Sequence, residues 1–221
     1  FRKNTAMNIR QTEEIAQCYS QYGEIIKPLI AEIEAQCEKI PLQLLNEIRA
    51  FNDHISRCYY GDPEETYINT QIDKAQRHIT RITLDCFKAL NVIMYEKISN
   101  YEHQTRHVDL TVIDNGLFFP RYSALKREAA SLVYKAKREE AKNVDRALSL
   151  YQDAYNKYCE VTSLIAENTE KTRWAKVKTY SHKALTVILW ILSIVISAVV
   201  SMYLSCDGFA TIRNIFEGIF G

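Results

Sequence analysis

The first residues that invite a chemical reading are Arg49 and His54, in the stretch NEIRAFNDHISRCYYGD (46–62). Histidine exchanges protons near neutral pH and arginine holds phosphate oxygens bidentately, so a converging pair would suit acid–base chemistry on a bound anion. Helical geometry works against convergence, because residues five apart lie about 140° apart around a regular helix. Arg49 aligns instead with Asp53 at i+4, the spacing of an ordinary helix ion pair. Asn52 falls on the apolar stripe, and His54 neighbours Phe51, Arg57 and Cys58. With 13 arginines and five histidines, roughly one such spacing is expected by chance. Three roles stay open for the pair: a polar network that fixes helix packing, a ligand site, or catalysis.

The densest basic set lies nearby: Arg49, Arg57, Lys74, Arg77, His78 and Arg81. Such a cluster suits an anionic ligand, with Tyr59 and Tyr60 as stacking surfaces, and the alternative is a solvated charged face. The formal charge is only +1, so any attraction to nucleic acid must be local. The six cysteines (18, 37, 58, 86, 159 and 206) form no C-x-x-C pair and no metal-ligating rhythm with histidine. They read as free thiols in a reducing compartment. The chain holds no H-E-x-x-H, no phosphate-binding glycine loop and no nucleophile elbow. No metal, cofactor or enzymatic activity is expected.

Residues 184–204, ALTVILWILSIVISAVVSMYL, carry no charge over 21 positions. About 20 apolar residues cross the hydrocarbon core as a helix, so this is a transmembrane candidate. Lys171, Arg173, Lys176, Lys178 and Lys183 precede it without an acid among them, whereas Asp207, Arg213 and Glu217 follow. The positive-inside rule then places the N-terminal part in the cytoplasm, in agreement with the free thiols. Thr186, Ser193, Ser197 and Ser201 fall on one stripe of the span. That stripe is either a packing seam between copies or the wetted wall of a pore, unless the hydroxyls simply bond back to their own helix. One span cannot enclose a pore, so conduction would need a ring of subunits.

The elements that must position these residues are helical. Six Gly and four Pro leave few breakers, and the chain is 47% hydrophobic. Residues 5–39 show a helical pattern with a bend expected at Pro28. A second helix starts at Pro41, with apolar positions Leu42, Leu45, Ile48, Asn52, Ile55 and Tyr59. Gly61 suits a C′ position, with Asp62 as N-cap, Pro63 as first helical residue and Glu65 completing a capping box. The next helix carries Ile68, Ile72, Ala75, Ile79, Ile82, Cys86, Ala89 and Ile93, and two helices joined so tightly should pack as an antiparallel hairpin. Residues 101–120 break the rhythm and are expected as a loop with at most one short extended piece. Helix resumes from Arg121 and leads toward the span; Val144, Leu148, Tyr151, Tyr155, Tyr158, Thr162 and Ile165 hold heptad spacing. A helix of some 60 residues would reach about 90 Å, so a break is expected within it. Beyond the span, Phe209, Ile212, Ile215, Phe216, Ile219 and Phe220 describe an amphipathic tail helix. No charged-then-apolar leader opens the chain at Phe1, as in a fragment or a chain whose first residue has been removed.

NEIRAFNDHISRCYYGD followed by INTQIDKAQRHITRITLDCFKAL resembles the helical hairpin of HEPN domains in prokaryotic defence proteins, over roughly residues 41–100. The Arg49–His54 spacing matches the R-x4-6-H signature of the ribonucleases in that family. There the pair would orient an RNA 2′-hydroxyl at a dimer cleft. Joined to a C-terminal span, the hairpin is similar to anti-phage membrane effectors, among them the channel of the Hailong system and the accessory membrane protein of type VI CRISPR systems. That resemblance implies a homo-oligomeric, normally closed, membrane-permeabilising protein under a nucleotide or oligonucleotide signal made by a partner protein.

The expected architecture is all-α, with long antiparallel hairpins in the cytoplasm and one C-terminal transmembrane helix. Its parts are a cytoplasmic HEPN-like regulatory domain (1–170), a basic juxtamembrane segment (171–183), a span (184–204) and an interfacial tail (205–221). The expected function is a gated pore or ion channel of antiviral defence in the cell inner membrane, single-pass with its N-terminus cytoplasmic. A membrane-tethered ribonuclease using Arg49 and His54, and a membrane-anchored coiled-coil scaffold, are the alternatives.

Overall fold

A capping box opens the first helix. Asn8 accepts the backbone N–H of Gln11 at 2.9 Å, and the Gln11 side chain accepts that of Asn8 at 3.0 Å. This satisfies two of the donors that a helix start leaves orphaned. The computed structural model describes residues 7–37, 39–61, 63–204 and 218, and every regular element among them is helical. α1 (Ile9–Gln21) passes through a single π-helical turn (Tyr22–Ile26) into α2 (Lys27–Cys37). α2 runs through Pro28, where the sequence predicts a bend, and the irregularity falls just before it, as this turn. Pro28 has no N–H to give and its ring would crowd the carbonyl four residues back, and the chain widens just before it, with the Lys27 N–H reaching Tyr22 O.

α3 (Leu42–Tyr59) and α4 (Glu65–Thr105) form a hairpin. Gly61 sits at φ +83°, the left-handed C′ position its sequence context calls for. The helix starts later than expected: α4 begins at Glu65 behind Glu64, which gives no side-chain cap, and Pro63 precedes the helix instead of opening it. Asp62 lies outside the described residues. The buried face of α3 is Leu44, Phe51, Ile55 and Cys58, one position round from the expected stripe, and Leu42, Leu45 and Tyr59 are exposed. Asn52 is exposed too, donating to Ile48 O and accepting from Tyr19. Phe51 is fully buried because α1 docks there, with Tyr19 edge-on at 5.3 Å and Tyr22 stacked at 6.2 Å. On α4 the expected stripe is the observed one: Ile68, Ile72, Ala75, Ile79, Ile82, Cys86 and Ile93 are buried and Ala89 is partly so.

α4 runs 41 residues, about 60 Å, and serves two cores. Its first two-thirds pack under α1–α3, while Met94 and Ile98 join Phe118, Tyr122, Tyr158 and Val161 in the second. The break expected over 101–120 is shorter and contains no strand. α4 continues to Thr105, a 3-10 segment spans Leu110–Gly116, and α5 (Phe118–Glu139) follows. Asp114 and Asn115 take left-handed backbone there (φ 49° and 52°), residue types that tolerate it, before Gly116 at φ +88°. α6 (Val144–Glu167) lies against α5, capped by Asn143, whose side chain accepts the Arg146 N–H. Ala129 and Ala136 on α5 and Ala147 and Ala154 on α6 are wholly buried. Small side chains seven residues apart on each helix let the two backbones approach closely. The expected break in the long C-terminal helix falls at 140–143 and again at Asn168, after which α7 (Thr169–Tyr203) runs unbroken. The expected tail helix lies outside the described residues.

Candidate functional site

α7 is one helix with two surroundings. Its first three turns dock on the body: Thr172 meets the Tyr101 hydroxyl at 3.3 Å, Ala175 is buried, and Lys171 pairs with Asp114. The Asp109 N–H donates to Thr179 Oγ1 at 3.2 Å and Lys183 Nζ to His107 O at 3.4 Å. From residue 184 to 204 every side chain is exposed, and this is the one helix among the described residues long and apolar enough to cross a membrane. The basic segment and the apolar stretch thus lie on one continuous helix of 35 residues. Trp174 (54% exposed) and Tyr180 (56% exposed) stand beside it, with Lys178 4.8 Å over the Trp174 ring and Lys183 over Tyr180. Aromatic and basic side chains in this arrangement suit a membrane–water boundary.

Within the span the hydroxyl stripe keeps to its own helix where its bonds are seen. Thr186 donates to His182 O at 2.9 Å and Ser193 to Trp190 O at 2.7 Å. Such bonds satisfy a hydroxyl in apolar surroundings while leaving its oxygen lone pairs able to accept. Ser197 and Ser201 continue the stripe toward the end of α7.

Arg49 and His54 do not converge. Arg49 is exposed, and Asp53, its expected partner, pairs with Arg57 at 2.6 Å instead. An acid N-terminal to its base at i,i+4 is the better orientation against the helix dipole, which favours Asp53–Arg57 over Arg49–Asp53. His54 turns toward α4, its Nδ1 2.7 Å from Gln71 Oε1. His78 does the reverse, its Nδ1 donating to Glu47 Oε2 at 2.6 Å, and the two imidazoles stack at 5.2 Å. Glu47 and His54, like Gln71 and His78, are seven residues apart and so share a helix face. As numbers rise along α3 their partners fall along α4. This four-residue network joins α3 to α4 in antiparallel register, the arrangement that the first of the three roles open to His54 requires.

The basic set divides in the same way. Lys74, Arg77, His78 and Arg81 share one face of α4, but His78 is drawn in by Glu47 and Arg77 Nε donates to Asp73 O. Arg57 lies at the turn end beside Tyr60, Pro63, Glu64 and Tyr67. Among the described residues no group of three or more His, Cys, Asp or Glu side chains is placed to hold a metal.

A cleft of about 680 Å³ between α4, α5 and α6 was not anticipated. Lys88, Asn91, Tyr95, Lys137, Glu140 and Tyr151 line it. Glu140 pairs with Lys88 at 2.7 Å and accepts from the Tyr151 hydroxyl, and Lys88 lies over the Tyr151 ring. Burial alone would raise the Glu140 carboxyl, but these two hydrogen bonds together with the Lys88 and Lys137 charges outweigh it and hold it below the ordinary carboxylate range. Burial raises the Tyr151 phenol, and its bond to the Glu140 carboxylate raises it further. Asn91, buried, ties α4 to α6 by donating to Phe87 O and Tyr151 O. No local spacing announces this cleft, because its walls come from three separate stretches of chain, 88–95, 130–140 and 151–158.

Comparison with protein-family models, with curated proteins and with solved structures found no match to the chain.

Proposed function

We propose that the chain is an oligomeric membrane effector of anti-phage defence. A cytoplasmic body of antiparallel helical hairpins is carried on one transmembrane helix, and copies assemble into a gated pore that permeabilises or depolarises the host inner membrane. The observation that carries this reading is the distal half of α7, free of charge, exposed throughout, and continuous with a helical foot bonded to the body. So large a contiguous apolar surface is a liability in water and a requirement in lipid. The basic residues before it favour a cytoplasmic body. A pore needs a ring of copies, and the Thr186–Ser201 stripe is the surface on which they pack or meet water.

Because α7 is unbroken from Lys171 to Tyr203, a shift of the body can reach the membrane without loss at a joint. A nucleotide or oligonucleotide signal made by a partner protein would supply that shift, with exposed Arg77 and Arg81 and half-buried Lys74 as cationic contacts. Expression in bacteria tests the reading, with dye entry and RNA integrity followed side by side. Dye entry with intact RNA is expected. RNA loss preceding dye entry favours the ribonuclease alternative, and neither event favours an inert tether.

A further inference from the structure

We infer that the connection between α4 and α5 is a second membrane contact, forming with the foot of α7 a cationic seat for anionic phospholipid headgroups. The inference rests on the membrane-spanning reading of α7 and extends it from the helix to the body. Three bonds lay the connection along α7. Asp114 holds Lys171, the Asp109 N–H meets Thr179, and His107 O accepts from Lys183. Residues 171 to 183 rise about 18 Å along the helix. Asp114 therefore stands well above the bilayer, whereas His107 lies one side-chain length from the last residue before the span. A headgroup layer is about 5–7 Å deep on each side of the hydrocarbon, so His107, bonded at Lys183, falls at its level once Leu185 enters the apolar core, and Asp109, bonded at Thr179 about 9 Å before Leu185, stands at its outer edge.

The side chains at that level have the right sign. Arg106, at the end of α4, and His107 are exposed, and Lys178, His182 and Lys183 stand on the adjoining turns of α7. Asp109 is the one acid at this level among the described residues; it accepts from the Thr111 N–H and hydroxyl and keeps its negative charge, which offsets one of the three cations Arg106, Lys178 and Lys183. The next acids are also engaged: Asp114 by Lys171, and Glu102 by Lys126 and the Tyr122 hydroxyl. The net charge outward is cationic, with Arg106, Lys178 and Lys183 against Asp109, on two chain segments bonded to each other. Anionic headgroups attract such juxtamembrane charge, and the attraction fades within a Debye length. A seat made of two segments fixes the body's tilt on the membrane, which a single helix leaves free to swivel.

Photo-cross-linking of the full chain tests this, in nanodiscs of equal phosphatidylcholine and phosphatidylglycerol. The cross-linker p-benzoylphenylalanine is placed at position 107, at 190 in the span, or at 134 on α5. Position 107 should yield phospholipid adducts enriched at least threefold in phosphatidylglycerol, 190 should yield adducts of both lipids, and 134 none. Adding Arg106→Gln and Lys183→Gln should bring the enrichment at 107 close to one, with the helical circular dichroism unchanged. Absence of lipid adducts at 107 with normal adducts at 190 overturns the seat and leaves the span standing. Adducts at 107 without headgroup preference overturn the electrostatic recognition. Loss of adducts at 190 as well means that the membrane-spanning reading itself has failed.

Discussion

The double change Leu192→Arg, Ile196→Arg places two charges one turn apart near the middle of the apolar half of α7. Both side chains are about half exposed and touch nothing in the body. The folded body should therefore not register the change. Insertion should. A dozen Leu, Ile and Val side chains between Leu185 and Leu204 favour the bilayer by about 0.3–0.6 kcal/mol each, roughly 4–7 kcal/mol together. Each central arginine costs about 2.5–3.5 kcal/mol, so the pair cancels most or all of that drive. Leu192→Ala, Ile196→Ala forfeits only about 1 kcal/mol and should insert normally. The assay is alkaline extraction of membranes followed by immunoblotting, with limited proteolysis to report on the body. The arginine variant should leave the membrane fraction while the body keeps its protease resistance. Retention in the extracted membrane would refute the spanning helix. Loss of protease resistance would show that this half of α7 packs against the body.

Three further outcomes follow from the helical body. Phe51→Ala removes a fully buried ring clasped by Tyr19 and Tyr22, and should cost about 3–5 kcal/mol in denaturant unfolding. Glu140→Gln should cost about 1 kcal/mol near neutrality, the scale of a partly exposed ion pair. Because the carboxyl is held below its ordinary value, that stabilisation is complete above about pH 4.3 and is lost as pH falls through the folded value. Melting temperatures of wild type and variant should therefore differ above about pH 4.3 and converge as the pH falls further below it. Burial, reinforced by Asp85, pushes the Cys86 thiol up to about 12. Iodoacetamide at pH 8 should label exposed Cys37 in the folded protein and Cys86 only after unfolding, as peptide mass mapping would show.

The helices themselves were legible in the sequence, most fully in α4, where isoleucines at alternating three- and four-residue spacing leave one possible face. In α3 two stripes compete. Leu42–Leu45–Ile48 and Leu44–Ile48–Phe51 share Ile48 and Ile55, and only the docking of Tyr19 and Tyr22 on Phe51 selects the second. The Arg49–Asp53 pairing failed for a local reason, because Asp53 had a better-oriented base in Arg57. The Glu47–His54 and Gln71–His78 network carried a readable signal, two polar pairs at heptad spacing on facing helices, but its meaning depends on the hairpin register. The foot of α7 was not legible at all. Its partners Tyr101, His107, Asp109 and Asp114 lie 57 to 76 residues away. Nothing in their spacing distinguishes a loop that docks from one that does not.

The central claim is tested most directly by current across a planar bilayer. Purified full-length protein, shown by flotation to be inserted, would be recorded with and without a lysate of phage-infected cells. Discrete conductance steps are predicted, and Ser193→Leu, Ser197→Leu should abolish them or change their size while insertion is unaffected. An inserted protein that stays silent under both conditions would contradict the account.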